Sequence, residues 1–146
     1  MGLTRQFYGK KVFIDTAPFI YYIEGNIQYQ NILNKLFKLN STGEIIFATS
    51  VLTFLELLVV PVRNKRFDLV EQYENIFRNS PSLELIEINL TISKLAAEYR
   101  AQFNFKTPDA IQLASASFSE ADFFLTNDKQ LKQDKIKTII LHEVIK

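Results

Sequence analysis

Four carboxylates stand where a purely structural chain has little use for them. Asp15 ends the run KVFID (Lys11–Asp15), and Asp128 follows the short run Phe123–Thr126. Asp109 follows Thr107 and Pro108, and Glu56 lies inside the apolar segment Ser50–Val60. At helical spacing Glu56 has Leu52 at i−4, Val59 at i+3 and Val60 at i+4, so an acid shares a face with residues expected in a core. An unpaired buried carboxylate is costly, and Ser50–Val60 contains no Lys or Arg to neutralise it. Acids gathered in one crevice raise one another's pKa values, a repulsion that a bound cation relieves. Oxygen donors alone suit a hard ion, Mg²⁺ or Mn²⁺. Each acid also has a structural explanation. Asp15 and Asp128 fit caps or turns, Asp109 complements a helix dipole, and Glu56 can snorkel outward. Asp122 and Glu24 are read as solvated or supporting residues.

The rest of the composition narrows the chemistry. The chain has 146 residues, 47% hydrophobic and 23% charged, which suits a single domain over 1–146. It has no Cys and one His, His142, so thiolate nucleophiles, Cys-bound zinc and two-histidine metal sites are excluded. Gly2, Gly9, Gly25 and Gly43 form neither a G-x-G nor a P-loop spacing. Seventeen Lys and Arg against sixteen Asp and Glu give a net charge of +1, so any polyanion site must be local. Met1–Lys11 lacks the apolar run of a signal peptide, and no stretch approaches the ~20 apolar residues of a membrane span. A cytoplasmic protein is expected, with no membrane partner.

The elements that position the acids follow from periodicity and punctuation. Lys11–Asp15 reads as a buried strand, with Pro18 in the first turn of the next helix. Tyr29, Ile32, Leu33 and Leu36 recur at helical spacing, and after Gly43 comes a strand at Glu44–Thr49. Ser50 caps a buried helix from Val51 through Val60 that stops at Pro61. Arg63–Phe67 is a basic connector to a helix carrying Val70, Tyr73 and Phe77. Leu83–Ile88 alternates apolar and acidic, as a strand near a sheet edge does. Ile92, Leu95, Ala96, Tyr99 and Phe103 mark another helix, and Thr107 and Pro108 open one reaching Phe118. Strands follow at Phe123–Thr126 and Lys137–Leu141, with a turn at Asn127 and Asp128. Strands alternating with helices predict an α/β fold: a three-layer α/β/α sandwich with a mostly parallel central sheet. In such sheets ligands bind at the carboxyl ends of the strands, where Asp15 and Asp128 lie.

The segments VFIDTAPFIYYIEG, SVLTFLELLV, KTPDAIQLASA and ADFFLTNDKQL come in an order that resembles the PIN-domain family of metal-dependent ribonucleases. The likeness runs from Lys11 to Leu141, and in size the chain is most similar to VapC-type toxins of toxin–antitoxin pairs. The resemblance implies an acidic quartet, Asp15, Glu56, Asp109 and Asp128, binding one or two Mg²⁺ or Mn²⁺ ions. Thr126 and Asn127 correspond to accessory polar positions. Gln112 stands where many relatives have His, a departure expected to alter substrate contacts. The implied activity is endoribonucleolytic hydrolysis leaving a 5′-phosphate, with tRNA and rRNA as the first substrates to try. Implied partners are a cognate antitoxin, whose Arg enters near the metal site, and a second copy in a homodimer. Lys10, Lys11, Arg63, Lys65, Arg66, Lys106 and Lys129 are candidate phosphate contacts. The alternative is a non-catalytic PIN-like module that binds RNA or protein. Phosphoryl transfer through an aspartyl nucleophile of the haloacid-dehalogenase type calls for a second Asp where this chain has Ala17.

Overall fold

Val12, Phe13 and Ile14 are all fully buried, as a strand covered on both faces requires. The computed structural model describes residues 2–145. Its elements are α1 (Gly2–Phe7), β1 (Lys11–Ile14), α2 (Thr16–Glu24), α3 (Gln30–Ser41), β2 (Ile46–Ser50), α4 (Val51–Arg63) and α5 (Phe67–Asn79). They continue with β3 (Leu83–Ile86), α6 (Leu90–Phe103), α7 (Thr107–Phe118), β4 (Phe123–Thr126), a 3₁₀ turn (Lys129–Leu131), β5 (Thr138–Ile140) and α8 (Leu141–Val144). The five strands form one sheet in the order β3-β2-β1-β4-β5, every pair parallel. The chain winds outward from β1 through β2 to β3, then returns to the other side of β1 for β4 and β5. The direction reverses between β1 and β4, and their carboxyl ends flank the resulting crevice.

Side chains alternate across the sheet and build two cores. Val12, Ile14, Phe123 and Leu125 join Phe19 of α2, Leu33 and Leu36 of α3, Leu57 of α4 and Tyr73 of α5. Phe13, Ala48 and Phe124 face the other way, against Ile92, Ala96 and Tyr99 of α6 and Leu113 of α7. These are the three layers the alternating elements predict. Phe13 and Phe124 are register partners whose rings stack at 5.6 Å. Phe13→Ala is therefore expected to cost ~3–5 kcal/mol in urea unfolding, because it empties the centre of the second core. A cost under ~1 kcal/mol would show that this layer collapses without it.

The structure corrects the sequence reading in three places. α1 was not anticipated; it is too short for a periodic signal, and Leu3 and Phe7 dock it onto the first core. α4 does not stop at Pro61 but runs to Arg63. In the last turn a proline forfeits one backbone bond, to the Leu57 carbonyl, and leaves the following residues free to stay helical. Nor is α4 buried all round. Thr53, Leu57 and Pro61 face inward, while Leu55, Val59, Val60 and Val62 are 58%, 42%, 54% and 51% exposed. Phe67, at the start of α5, is also exposed. The strands expected at Leu83–Ile88 and Lys137–Leu141 are present but shorter, and β3 lies at a sheet edge as its alternation predicts.

Candidate active site

β1 and β4 deliver their carboxyl ends side by side, because the Asp15 N–H donates to the Leu125 carbonyl at 2.9 Å. Asp15 holds the N-cap position of α2, yet its side chain makes no capping bond. Its oxygens are engaged sideways instead. The Thr126 hydroxyl donates to Oδ2 at 2.8 Å and the Gln112 amide to Oδ1 at 3.3 Å. Thr126 Oγ1 in turn accepts the Asp128 N–H at 3.1 Å, tying the end of β4 to the next acid. Asp128 is exposed and caps the 3₁₀ turn by accepting the Gln130 N–H at 2.9 Å. Asp109 is partly buried in the first turn of α7, among backbone N–H groups that favour a carboxylate. Glu56 is partly buried on α4, with its Oε1 accepting the Thr16 hydroxyl at 2.9 Å. The partner missing from its own helix is thus a neutral hydroxyl next to Asp15.

The four acids share one electrostatic environment. Burial pushes the Asp109 carboxyl above the usual carboxylate range, and the charges of Asp15, Asp128 and Glu56 push it further, with Lys106 opposing. Burial also raises Asp15; bonds from Thr126, the Thr16 backbone and Gln112 pull it back, and the Asp128 charge adds to the rise. Carboxylates that raise one another in this way suit a divalent cation by charge and donor type. Among the described residues, however, no three His, Cys, Asp or Glu side chains are grouped closely enough to hold an ion. Asp15, Glu56 and Asp128 are each tied by the protein donors named above. By donor type, Asp15, Glu56, Asp109 and Asp128 are the side chains suited to a hard cation.

The other candidate positions separate clearly. Asn127 donates from Nδ2 to the Tyr21 and Tyr29 hydroxyls at 3.2 and 3.1 Å, and its Oδ1 accepts the His142 N–H at 2.8 Å. It pins the segment carrying Thr126 and Asp128 to α2, to Tyr29 just before α3, and to α8. Lys11 is not beside the acids. It opens β1, roughly 13 Å along the strand from Asp15 at ~3.3 Å per residue. Its Nζ is held by Glu84 at 2.9 Å and by the Ser119 carbonyl at 2.9 Å. Lys10 lies at the same far end. Arg66 pairs with Asp68 at 3.0 Å, whereas Lys106 and Lys129 flank the acidic segments. Gln112 is 2% exposed, so it bonds to protein rather than substrate. Sequence reasoning missed Thr16 and the role of Gln112; the signals were adjacency to Asp15 and an i+3 position from Asp109 on one helix face.

A cavity of about 320 Å³ lies between α2, α3 and α5, lined by Phe19, Tyr22, Phe37 and Ile76 among others, and none of the four acids borders it. Among the described residues no helix is long and apolar enough to cross a membrane.

Comparison with solved structures finds this fold repeatedly. VapBC2 from Rickettsia felis, bound to a DNA fragment from its promoter, aligns with a TM-score of 0.70 at 16% identity, over 89% of this chain and 98% of that one. A toxin–antitoxin complex from Klebsiella pneumoniae gives 0.66 at 18% identity, over 89% and 97%. Mycobacterium tuberculosis VapC20, described as a Sarcin-Ricin loop cleaving toxin, gives 0.62 at 14% identity, over 77% and 86%. At these identities the likeness establishes the fold. Comparison with curated protein sequences gives no match. The family model for the PIN domain matches residues 12–136, from the first residue of β1 to be fully buried to just short of β5, and so takes in all four acids. With most of its length matched, the chain belongs to the PIN domain family.

Proposed function

We propose that this protein is a Mg²⁺- or Mn²⁺-dependent endoribonuclease acting as the toxin of a toxin–antitoxin pair. The observation that carries the reading is that Asp15 and Asp128 are linked through Thr126 at the sheet's crossover crevice, with the charges of Asp15, Asp128 and Glu56 all reaching Asp109. The toxin–antitoxin context rests on the structural neighbours, several of which are complexes of that kind. Asp15, Glu56, Asp109 and Asp128 would hold the ion, which when bound acidifies water and offsets charge on a phosphodiester. The Thr126 hydroxyl orients the Asp15 carboxylate, and Thr16 holds Glu56. The water oxygen bonds to phosphorus as a crevice carboxylate accepts its proton; the P–O3′ bond breaks and O3′ takes a proton from solvent, leaving a 3′-hydroxyl and a 5′-phosphate. Lys106 and Lys129, which flank the segments carrying Asp109 and Asp128, would meet RNA phosphates. The test is cleavage of tRNA and rRNA with added Mn²⁺ or Mg²⁺: products are expected with either ion and lost with EDTA. EDTA-resistant cleavage, or none at all, overturns the assignment.

A second reading, a non-catalytic module that binds RNA or protein, draws on the absence among the described residues of three grouped ligating side chains. Mn²⁺ titration separates the two, since the module has no use for the ion.

The partner surface belongs to the same proposal. The outer face of α4, with Leu55, Val59, Val60 and Val62, and nearby Phe67 form an apolar face of the kind that marks association, and we assign it to a second copy of the chain. Light scattering at tens of micromolar is expected to give a dimer, and Leu55→Glu with Val62→Glu a folded monomer. A monomeric wild type would remove the dimer. An antitoxin would meet the acidic crevice, with a cationic side chain there offsetting the four carboxylates.

A further inference from the structure

Gln112 sits in a slot that uses every hydrogen-bonding group of a primary amide. It is 2% exposed, on α7. Its Nε2 donates to Asp15 Oδ1 at 3.3 Å and to the Thr53 hydroxyl, and its Oε1 accepts the Ser50 hydroxyl. Ser50 Oγ also accepts the Thr53 N–H at 3.3 Å, capping α4. The Thr49 and Thr53 hydroxyls are bonded at 2.8 Å, and Thr49 reaches the Ile14 carbonyl at 2.8 Å. Ile14 immediately precedes Asp15, so the network closes on itself. It grips Asp15 by its side chain from α7 and by the preceding peptide from β2. Thr49, Ser50 and Thr53 are themselves fully buried.

We propose that Gln112 is a positioning residue: with Thr126 it fixes the orientation of the Asp15 carboxylate, which would be one of the groups holding a divalent cation. The inference rests on the metal-dependent reading above. Three features carry it beyond simple core satisfaction. The amide ends on an acid rather than on backbone. It joins the carboxyl ends of β1 and β2 and the first turn of α4 to α7, the helix that also carries Asp109 one turn earlier. It is a neutral donor in a crevice already crowded with negative charge, where a carboxylate would repel Asp15 and a cation would compete with the metal. Partners that orient metal ligands typically change metal affinity by ~10–100-fold when removed.

The test is Mn²⁺ binding to the full chain, followed by the electron paramagnetic resonance of free Mn²⁺. Gln112→Met keeps the length and unbranched shape and removes both donors and the acceptor. It is expected to weaken Mn²⁺ binding at least tenfold in folded protein. Thr53→Val, nearly isosteric, removes only the second anchor of the amide and is expected to weaken binding by a smaller factor, about threefold. Thr53→Val also stands in should Gln112→Met not fold. Unchanged Mn²⁺ affinity in both variants, with stability alone reduced, assigns Gln112 to the core and overturns the proposal. A wild type that binds no Mn²⁺ overturns the metal-dependent reading itself, and the positioning role with it.

Discussion

Asp15→Asn is expected to abolish RNA cleavage and, in the same protein, to raise the melting temperature measured in EDTA. The two effects have one origin. Burial and the Asp128 charge disfavour the ionised form of Asp15, so the carboxylate is held at a cost to stability. Asn keeps the shape and removes the charge. Gln112 still finds an oxygen acceptor, and the Thr126 hydroxyl can rotate to accept from the new amide. The gain reads as about 2–4 °C for each kcal/mol recovered in a chain of this size. Cleavage falls at least about a hundredfold, because Asn is a far weaker holder of the divalent ion that would offset charge on the phosphodiester. Asp109→Asn should behave alike, through relief of three neighbouring charges. A variant that melts lower than wild type while cutting RNA normally would show that Asp15 is structural.

The second large effect is a reversal of pH dependence by metal. Asp15 and Asp109 titrate above the ~4 of an unfolded carboxylate, so between those values the native state binds more protons than the unfolded chain. Stability of the metal-free protein is therefore greatest at the acid end of that window and falls as pH rises through the native pKa values. Mn²⁺ binds the ionised acids and displaces their protons, so its affinity rises over the same window. The Mn²⁺-induced rise in melting temperature is expected to be larger at pH 7.5 than at pH 5. At a free concentration about a hundred times Kd it amounts to ~2.7 kcal/mol. Calorimetry at the two pH values, with and without Mn²⁺, checks this; a metal shift independent of pH contradicts it.

Much of this was readable from residue order. Asp15 at the end of a buried strand and Asp128 after another place both acids in one crevice once the sheet is parallel, and the alternation of strands with helices makes it so. Asp109 was legible from Thr107 and Pro108, which set the start of α7. Glu56 was harder. Its neighbours argued for a core face, yet Val59 and Val60 are exposed, and the acid lies between the inward stripe of Thr53, Leu57 and Pro61 and open solvent. Composition says that α4 is apolar; only packing decides which apolar residues meet the sheet. Lys11 misled for a related reason. It is four residues from Asp15 in sequence, but an extended strand turns that spacing into the length of the sheet. Gln112 was legible as a position on α7 but not as a partner, because its bonds to Ser50, Thr53 and Asp15 join segments far apart along the chain.

The pinning of Asn127 by His142 also bears on the order in which the fold assembles. β1 pairs with β4, which lies more than a hundred residues downstream, and the segment carrying Asp128 is fastened by the backbone N–H of His142, beyond β5. Contacts of such long sequence separation form late. Asp15, Glu56 and Asp109 therefore stay scattered along the chain until β4 and α8 have docked. Any chemistry that needs these acids side by side waits on that last docking.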